Sequence, residues 1–358
     1  MVIKRTVFSK PILNKQATIL LFIVAAILAL MLFVALKYYN RIFGPNVSDK
    51  AGKGIELFIP SNPSFDEVLG LLKFSGAIDN INDFVWLARH KGYPAKPIGG
   101  RYILRDGMSN NELVNMLRAG AQTPINLTFN NIRKPEELAG LLSRRLEADS
   151  LSFVSALRDE ELLAELGFEP HTVAAMLLPN TYQMFWNISP EGFVKRMHRE
   201  YESFWNNERK QKAEDLRLSP IQVATLASIV DEETVRGDEK SRVAGLYLNR
   251  LDIGMRLQAD PTIKFVIGDF SVNRILSKDL EVDSPYNTYI YAGLPPGPIR
   301  IPSISGIDAV LDRETHDYLY MCAKDDFSGY HAFAKTLRQH NVNAEKYRRA
   351  LNRNRIYR

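Results

Sequence analysis

The segment SPIQVATLASIVDEET, Ser219–Thr234, runs from a helix-start signal through an apolar stretch into three consecutive acids. Ser219 takes the N-cap position, Pro220 the first helical position, and Gln222 completes a Ser-x-x-Gln capping box. A helix beginning there advances about 100° per residue. Leu226, Ile229 and Val230 then share one side with Val223 and Ala227, and the spacing puts Glu233 on that same apolar side. Glu232 is expected opposite, in solvent beside Thr225 and Ser228, with Asp231 at the boundary. A carboxyl held against apolar neighbours loses hydration when charged, so its pKa rises. It can then carry a proton near neutral pH, as a general acid must. The competing reading is structural: Glu233 paired with Arg236 or Arg256, or at a fraying helix end. Structural acids far outnumber catalytic ones.

The rest of the chain narrows the choice. At 358 residues it has room for two or three domains. Its net charge of +5 suits a protein near an anionic surface and is too small to argue for nucleic acid. The basic end formed by Arg348, Arg349, Arg353, Arg355 and Arg358 reads as a solvated terminal helix. Cys322 is the only cysteine, so no internal disulfide forms, a fact neutral about compartment.

From Ala17 to Leu36 there is neither charge nor helix breaker. About 20 such residues match the hydrocarbon core of a bilayer. A cleaved signal peptide would have a shorter apolar run and a small-residue cleavage site; this one leads into Tyr38 and Tyr39, read as interface anchors. Lys4, Arg5, Lys10 and Lys15 precede the span and Lys37 and Arg41 follow it. The short basic leader favours an N-terminus inside, which puts everything after Tyr39 outside the cytoplasm.

Beyond a connector, Gly44 to Gly54, the pattern predicts a strand in GIELFIP and a helix opened by the Ser64/Glu67 box. A second helix is expected near Asp83 to His90, a strand and turn in GRYILRDGM, and a helix from the Ser109/Glu112 box to Gly120. PINLTF, Pro124–Phe129, begins a segment that becomes mainly helical to about Trp205, with a turn at Pro179-Asn180. The remainder mixes helices, short strands and four loop-like polar clusters. These are NRLDIGMRLQADPT (Asn249–Thr262), SPYNTY (Ser284–Tyr289), GLPPGPI (Gly293–Ile299) and GYHAF…HN (Gly329–Asn341). Loops of this kind form cleft walls. Each has a plainer reading: Asp260-Pro261 a turn, the Pro-Pro pair a rigid connector, Tyr286 or Tyr289 a packing aromatic. His331 and His340 find no third ligand at useful spacing, so hydrogen-bonding or packing roles are expected for them and no metal.

ASIVDEET, NRLDIGMRLQADPT, YNTY and GLPPGPI, with the weaker HAF…HN, resemble in this order the motifs of the endolytic murein transglycosylases, the MltG or YceG-like family. LLPNTY resembles a shorter motif that precedes its catalytic domain. The resemblance implies an α+β fold laid out as six regions. These are a cytoplasmic segment (1–16), a transmembrane helix (17–37), a linker (38–54), a LysM-like glycan-binding module (55–123), a mainly helical connecting region (124–205) and a catalytic domain (206–358). It implies that Glu233 is the catalytic acid, with Gln258, Asp260, Asn287, Thr288 and Tyr289, and Asp231 beside it, as substrate-binding candidates. Many relatives have Glu and Lys where this chain has Asp231 and Glu232, and the added negative charge is expected to raise the Glu233 pKa further.

The implied reaction cleaves the β-1,4 bond from N-acetylmuramic acid to N-acetylglucosamine without water, metal or cofactor. Glu233 protonates the leaving oxygen, then takes the proton of the muramic C6 hydroxyl as that oxygen closes a 1,6-anhydro ring. Asn287 and Gln258 are expected to position the sugar or stabilise the transition state. The implied partners are peptidoglycan strands, the inner membrane and peptidoglycan synthases, with a role in terminating nascent strands. The alternative is a membrane-anchored glycan-binding scaffold without catalysis, which predicts an inert segment from Pro124 onward.

Overall fold

The computed structural model describes residues 15–49, 52–272 and 275–354. The basic residues Lys4, Arg5, Lys10, Arg355 and Arg358 lie outside that range. Two compact units divide after Pro124. The first opens with α1 (Lys15–Phe43), long and apolar enough to cross a membrane and carrying no buried residue. Then follow β1 (Ile55–Ile59), α2 (Phe65–Ser75), α3 (Ile81–His90), β2 (Gly100–Leu104) and α4 (Asn110–Ala119), the element order expected from the capping boxes. Both boxes form: Ser64 accepts from the Glu67 amide and Ser109 from the Glu112 amide, and each glutamate returns to its cap backbone. The strands pair antiparallel from Ile55 opposite Leu104 to Ile59 opposite Gly100. Val68, Leu72, Phe84, Tyr102 and Leu113 fill the space beneath them at 0% exposure. Each such side chain contributes roughly 1.5–3 kcal/mol by leaving water. At the end of α1, Arg41 pairs with Asp83 at 2.7 Å and lies 4.2 Å over the Trp86 ring.

The second unit begins with β3 (Ile125–Phe129), followed by α5 (Pro135–Ser143), α6 (Ser150–Leu157), α7 (Glu160–Glu165) and β4 (Asn180–Met184). Asn180, read as part of a turn, instead starts the strand that pairs antiparallel with β3. Next come α8 (Pro190–Phe204), α9 (Asn207–Asp215), α10 (Pro220–Glu233), α11 (Lys240–Asp252), α12 (Asp260–Ile267) and α13 (Ile304–Leu311). The hairpin β5 (Tyr320–Ala323) and β6 (His331–Ala334) and the terminal helix α14 (Leu337–Arg353) complete it. Two segments expected as loops are thus regular. Asp260-Pro261 opens α12, proline standing where a helix tolerates it, and His331 begins a strand.

α10 is the axis of this unit, packed by α11, α12 and α13. Its capping box forms as read from the sequence. It has no solvent face, however: every residue from Val223 to Asp231 is buried. Thr225 and Ser228, expected outside, are buried at 1% and 0% exposure. Thr225 returns its hydroxyl to the Ile221 carbonyl, and the Ser228 hydroxyl accepts the Ile299 amide at 3.0 Å, tying the GLPPGPI segment to the helix.

Candidate active site

α10 ends because Thr234 turns extended, φ −140° and ψ 133°, leaving Glu233 as the last helical residue. From there the three acids diverge. Asp231 is buried against α13. It accepts from Lys240 Nζ at 2.6 Å, from the Ser303 amide at 2.6 Å and from the Ser303 hydroxyl at 2.8 Å. A Cβ on Gly306 would meet its Oδ1 at 2.6 Å, so only glycine lets α13 approach. Glu232, expected in solvent, is instead clamped by Arg300 Nη1 at 2.6 Å and Arg133 Nε at 2.9 Å, its side chain 9% exposed. Arg300 in turn donates to Asn131 at 2.6 Å.

Glu233 alone faces a cavity of ≈ 350 Å³. Neither Arg236 nor Arg256 pairs with it: Arg236 reaches the Ser328 carbonyl and Arg256 the Tyr289 carbonyl. Among the described residues its one direct side-chain partner is the Tyr247 hydroxyl, which donates to Oε1 at 2.6 Å. Burial pushes the Glu233 carboxyl up to about 7; the Tyr247 hydrogen bond, His331 and Arg250 pull the other way, while the charge of Asp260 adds to the rise. The second acid acting on Glu233 is therefore Asp260 across the cavity rather than its sequence neighbour Asp231.

Around the cavity stand Tyr247 and Arg250 from α11, Gln258 and Asp260 at the start of α12, Tyr289, the β5–β6 residues Tyr320 and His331, and His340 from α14. The Tyr289 hydroxyl donates to Asp260 Oδ1 at 2.5 Å. Gln258 sits at φ +47°, the left-handed region, which costs a non-glycine residue roughly 1 kcal/mol and is common at functional sites. Its amide is held by the Thr288 carbonyl at 3.1 Å. Arg250 is buried with no carboxylate partner among the described residues, its guanidinium bonded to the Leu319 carbonyl at 2.7 Å and the Leu257 carbonyl at 2.5 Å. Burial holds it below the usual arginine range. His340 Nδ1 is buried with no hydrogen-bond partner among the described residues.

Of the residues selected from sequence, Glu233, Gln258, Asp260 and Tyr289 thus meet at one cavity. Asn287, Thr288 and Asp231 do not line it. Asn287, fully buried, donates to the Leu280 and Val282 carbonyls and accepts the Tyr289 amide, which shapes the loop that presents Tyr289. Thr288 accepts the Ala259 amide at 3.0 Å and meets the Thr262 hydroxyl at 2.9 Å, fixing the start of α12. Their polar groups are engaged by the surrounding loops, and neither the Asn287 expected to position a sugar nor Thr288 lines the cavity. Sequence reasoning missed Tyr247 and Arg250, although two polar groups three apart on the apolar stretch GLYLNRL were a readable signal. It placed His331 in a cleft-wall segment with a hydrogen-bonding or packing role but could not name its partner, Glu239, which lies 92 positions away in sequence.

A family model described as the YceG-like family matches residues 57–346. The chain is 29% identical over 309 residues to a Bacillus subtilis protein named endolytic murein transglycosylase, covering 82% of this chain and 84% of that one. It is 24% identical over 366 residues to a Streptococcus pneumoniae protein of the same name, covering 90% of this chain and 65% of that longer protein. A crystal structure of a yceG-like protein from Listeria monocytogenes superposes with a TM-score of 0.53 at 26% identity, over 82% of this chain and 99% of that chain.

Proposed function

The chain belongs to the YceG-like family, and we propose that it is a membrane-anchored endolytic lytic transglycosylase of peptidoglycan with Glu233 as its acid. One observation carries this reading: of three adjacent carboxylates, only Glu233 faces the cavity, and its pKa is raised to about 7. At neutral pH a large fraction therefore holds the proton needed to cleave a glycosidic bond. A hydrolytic pair would place a second carboxylate across the bond as base or nucleophile. Asp260 is the other cavity acid, and it is engaged by Tyr289.

In the proposed reaction a glycan strand enters the cavity, and Glu233 protonates the glycosidic oxygen leaving muramic C1. Positive charge develops on the sugar ring, and the carboxylates of Glu233 and Asp260 stabilise it. The muramic C6 hydroxyl oxygen closes on C1 and gives up its proton to a base lining the cavity, leaving a 1,6-anhydro end. Gln258 and Tyr289 are the groups placed to hold the sugar. α1 serves as a single-pass anchor in the inner membrane, N-terminus in the cytoplasm, with the small module (55–123) a LysM-like glycan-binding element outside it. Synthases making new strands are the natural partners, and termination of those strands the natural role.

The test is mass spectrometry of products from purified glycan strands with the full-length protein and Glu233→Gln side by side. The wild type is expected to give anhydro-ended fragments, and the variant less than about a thousandth of that rate, in the range seen when an essential catalytic group is removed. Reducing muramic ends from the wild type, or undiminished release by the variant, overturns the reading.

A further inference from the structure

His331 enters the cavity from the first position of β6. Its Nδ1 lies 2.7 Å from Glu239 Oε2, and its backbone amide donates to Glu239 Oε1 at 2.8 Å. Glu239 is 2% exposed. It takes one more hydrogen bond, from the hydroxyl of Thr234, the residue that follows Glu233. A buried carboxylate is thus bonded to both the ring and the main chain of one histidine and to the end of the helix that carries the acid. No hydrogen bond to His331 Nε2 occurs among the described residues.

This arrangement fixes chemistry as well as position. A carboxylate facing Nδ1 holds the proton on that nitrogen, so the neutral ring presents an unprotonated Nε2. The same logic makes a histidine a base when an acid orients its far nitrogen. Glu233 is poised the opposite way, keeping its proton. The cavity therefore holds a carboxyl and an imidazole on separate elements, the imidazole turned by Glu239 so that Nε2 is the nitrogen left to face a substrate.

We propose that His331 is the base of the ring-closing step, positioned by Glu239, and that Glu233 acts as the acid alone. The inference rests on the transglycosylase reading above. The Glu233 proton passes to the leaving oxygen as the C1–O bond breaks. The C6 oxygen bonds to C1, and its proton passes to His331 Nε2. Proton transfer from the imidazolium back to the Glu233 carboxylate restores both groups, and no water is consumed. A single carboxylate would have to serve the leaving oxygen and the C6 hydroxyl in turn; two groups on separate elements serve both at once.

The experiment measures kcat and KM for anhydro-end release from purified glycan strands by the full-length protein, with thermal melting as the check on folding. For His331→Ala, kcat is expected to fall about 10²–10³-fold with KM little changed, the usual size of a general-base contribution. Added imidazole should restore at least tenfold of it, but nothing to Glu233→Gln. His331→Gln keeps a hydrogen-bonding side chain without a base and should be equally slow. Glu239→Gln, whose amide would donate to Nδ1 and move the ring proton to Nε2, should lose about tenfold or more. Retention of kcat by His331→Ala or His331→Gln overturns the inference, as does a loss in a normally melting His331→Ala that imidazole does not repair. Reducing ends from the wild type would instead overturn the transglycosylase reading on which it rests.

Discussion

The C-terminus of α10 has two sides that treat the same functional group in opposite ways. Toward α13 and the GLPPGPI segment, Asp231 and Glu232 are met by Lys240, Arg300 and Arg133 at 2.6–2.9 Å. Toward the cavity, Glu233 has a tyrosine hydroxyl and, among the described residues, no salt-bridged cation. Charge on the first side is met by cations; on the second it is left costly, so the Glu233 carboxyl is pushed toward its protonated form. The lesson is that the raised pKa of Glu233 goes with a withheld partner, and the neighbouring acids show what a partnered carboxylate looks like.

The largest stability effect should come from breaking the compensated side. Arg300→Met leaves Glu232 buried against Arg133 alone, and losing one member of a buried pair costs about 3–5 kcal/mol. The melting temperature should fall by roughly 5–15 °C, measured by calorimetry at pH 7. A fall of under a degree would mean the Glu232 cluster carries little.

The cavity side should show the reverse. Unfolded, Glu233 titrates near the ordinary 4.5; folded, near 7. Between those values the folded protein holds a proton the unfolded chain has released, so this group's contribution to stability falls as pH rises from 4.5 through 7. Glu233→Gln removes that penalty. It is expected to stabilise the protein by up to about 3 kcal/mol at pH 8, the cost of ionising a carboxyl raised from 4.5 to about 7, and by almost nothing at pH 4. Equal melting shifts at both pH values would show that Glu233 is not held protonated. The activity of the wild type should decline above pH 7 for the same reason, because the acid form is the one that reacts.

Tyr247→Phe should give the smallest effect and the sharpest comparison. Its hydroxyl favours the charged form of Glu233, so removing it should move the alkaline limb of the pH–rate profile upward by about 0.5–1 unit. A downward movement would show that the tyrosine helps keep the proton on.

Much of this fold was legible because its signals are local. Capping boxes at Ser64, Ser109 and Ser219 each sit within four residues of the helix they start, and the apolar run Ala17–Leu36 marks α1, which continues beyond it to Phe43. The direction of Glu233 was legible too, though for an incomplete reason. The apolar-side argument assumed a solvent face, and α10 has none among its buried residues from Val223 to Asp231. What sequence could not supply were partners set by packing. Glu232 meets cations 99 and 68 positions away, and His331 meets Glu239 at 92. Nothing in the spacing of Asn287 or Thr288 distinguishes a side chain that touches sugar from one that braces the loop beside it; only the internal carbonyls and amides they satisfy decide that.

α10 also ends electrostatically the wrong way round. A helix gathers partial negative charge at its C-terminus, where basic residues are favoured, by about 0.3–1 kcal/mol each at exposed sites. This last turn has no basic residue and three acids. For Asp231 and Glu232 the surrounding cations offset that field. For Glu233 the carbonyls at the end of its own helix act in the same direction as burial, so the main chain itself opposes ionisation. Part of the acidity of this site is therefore set by where the helix stops, and a change at Thr234 that extended α10 by one turn would alter the acid without touching it.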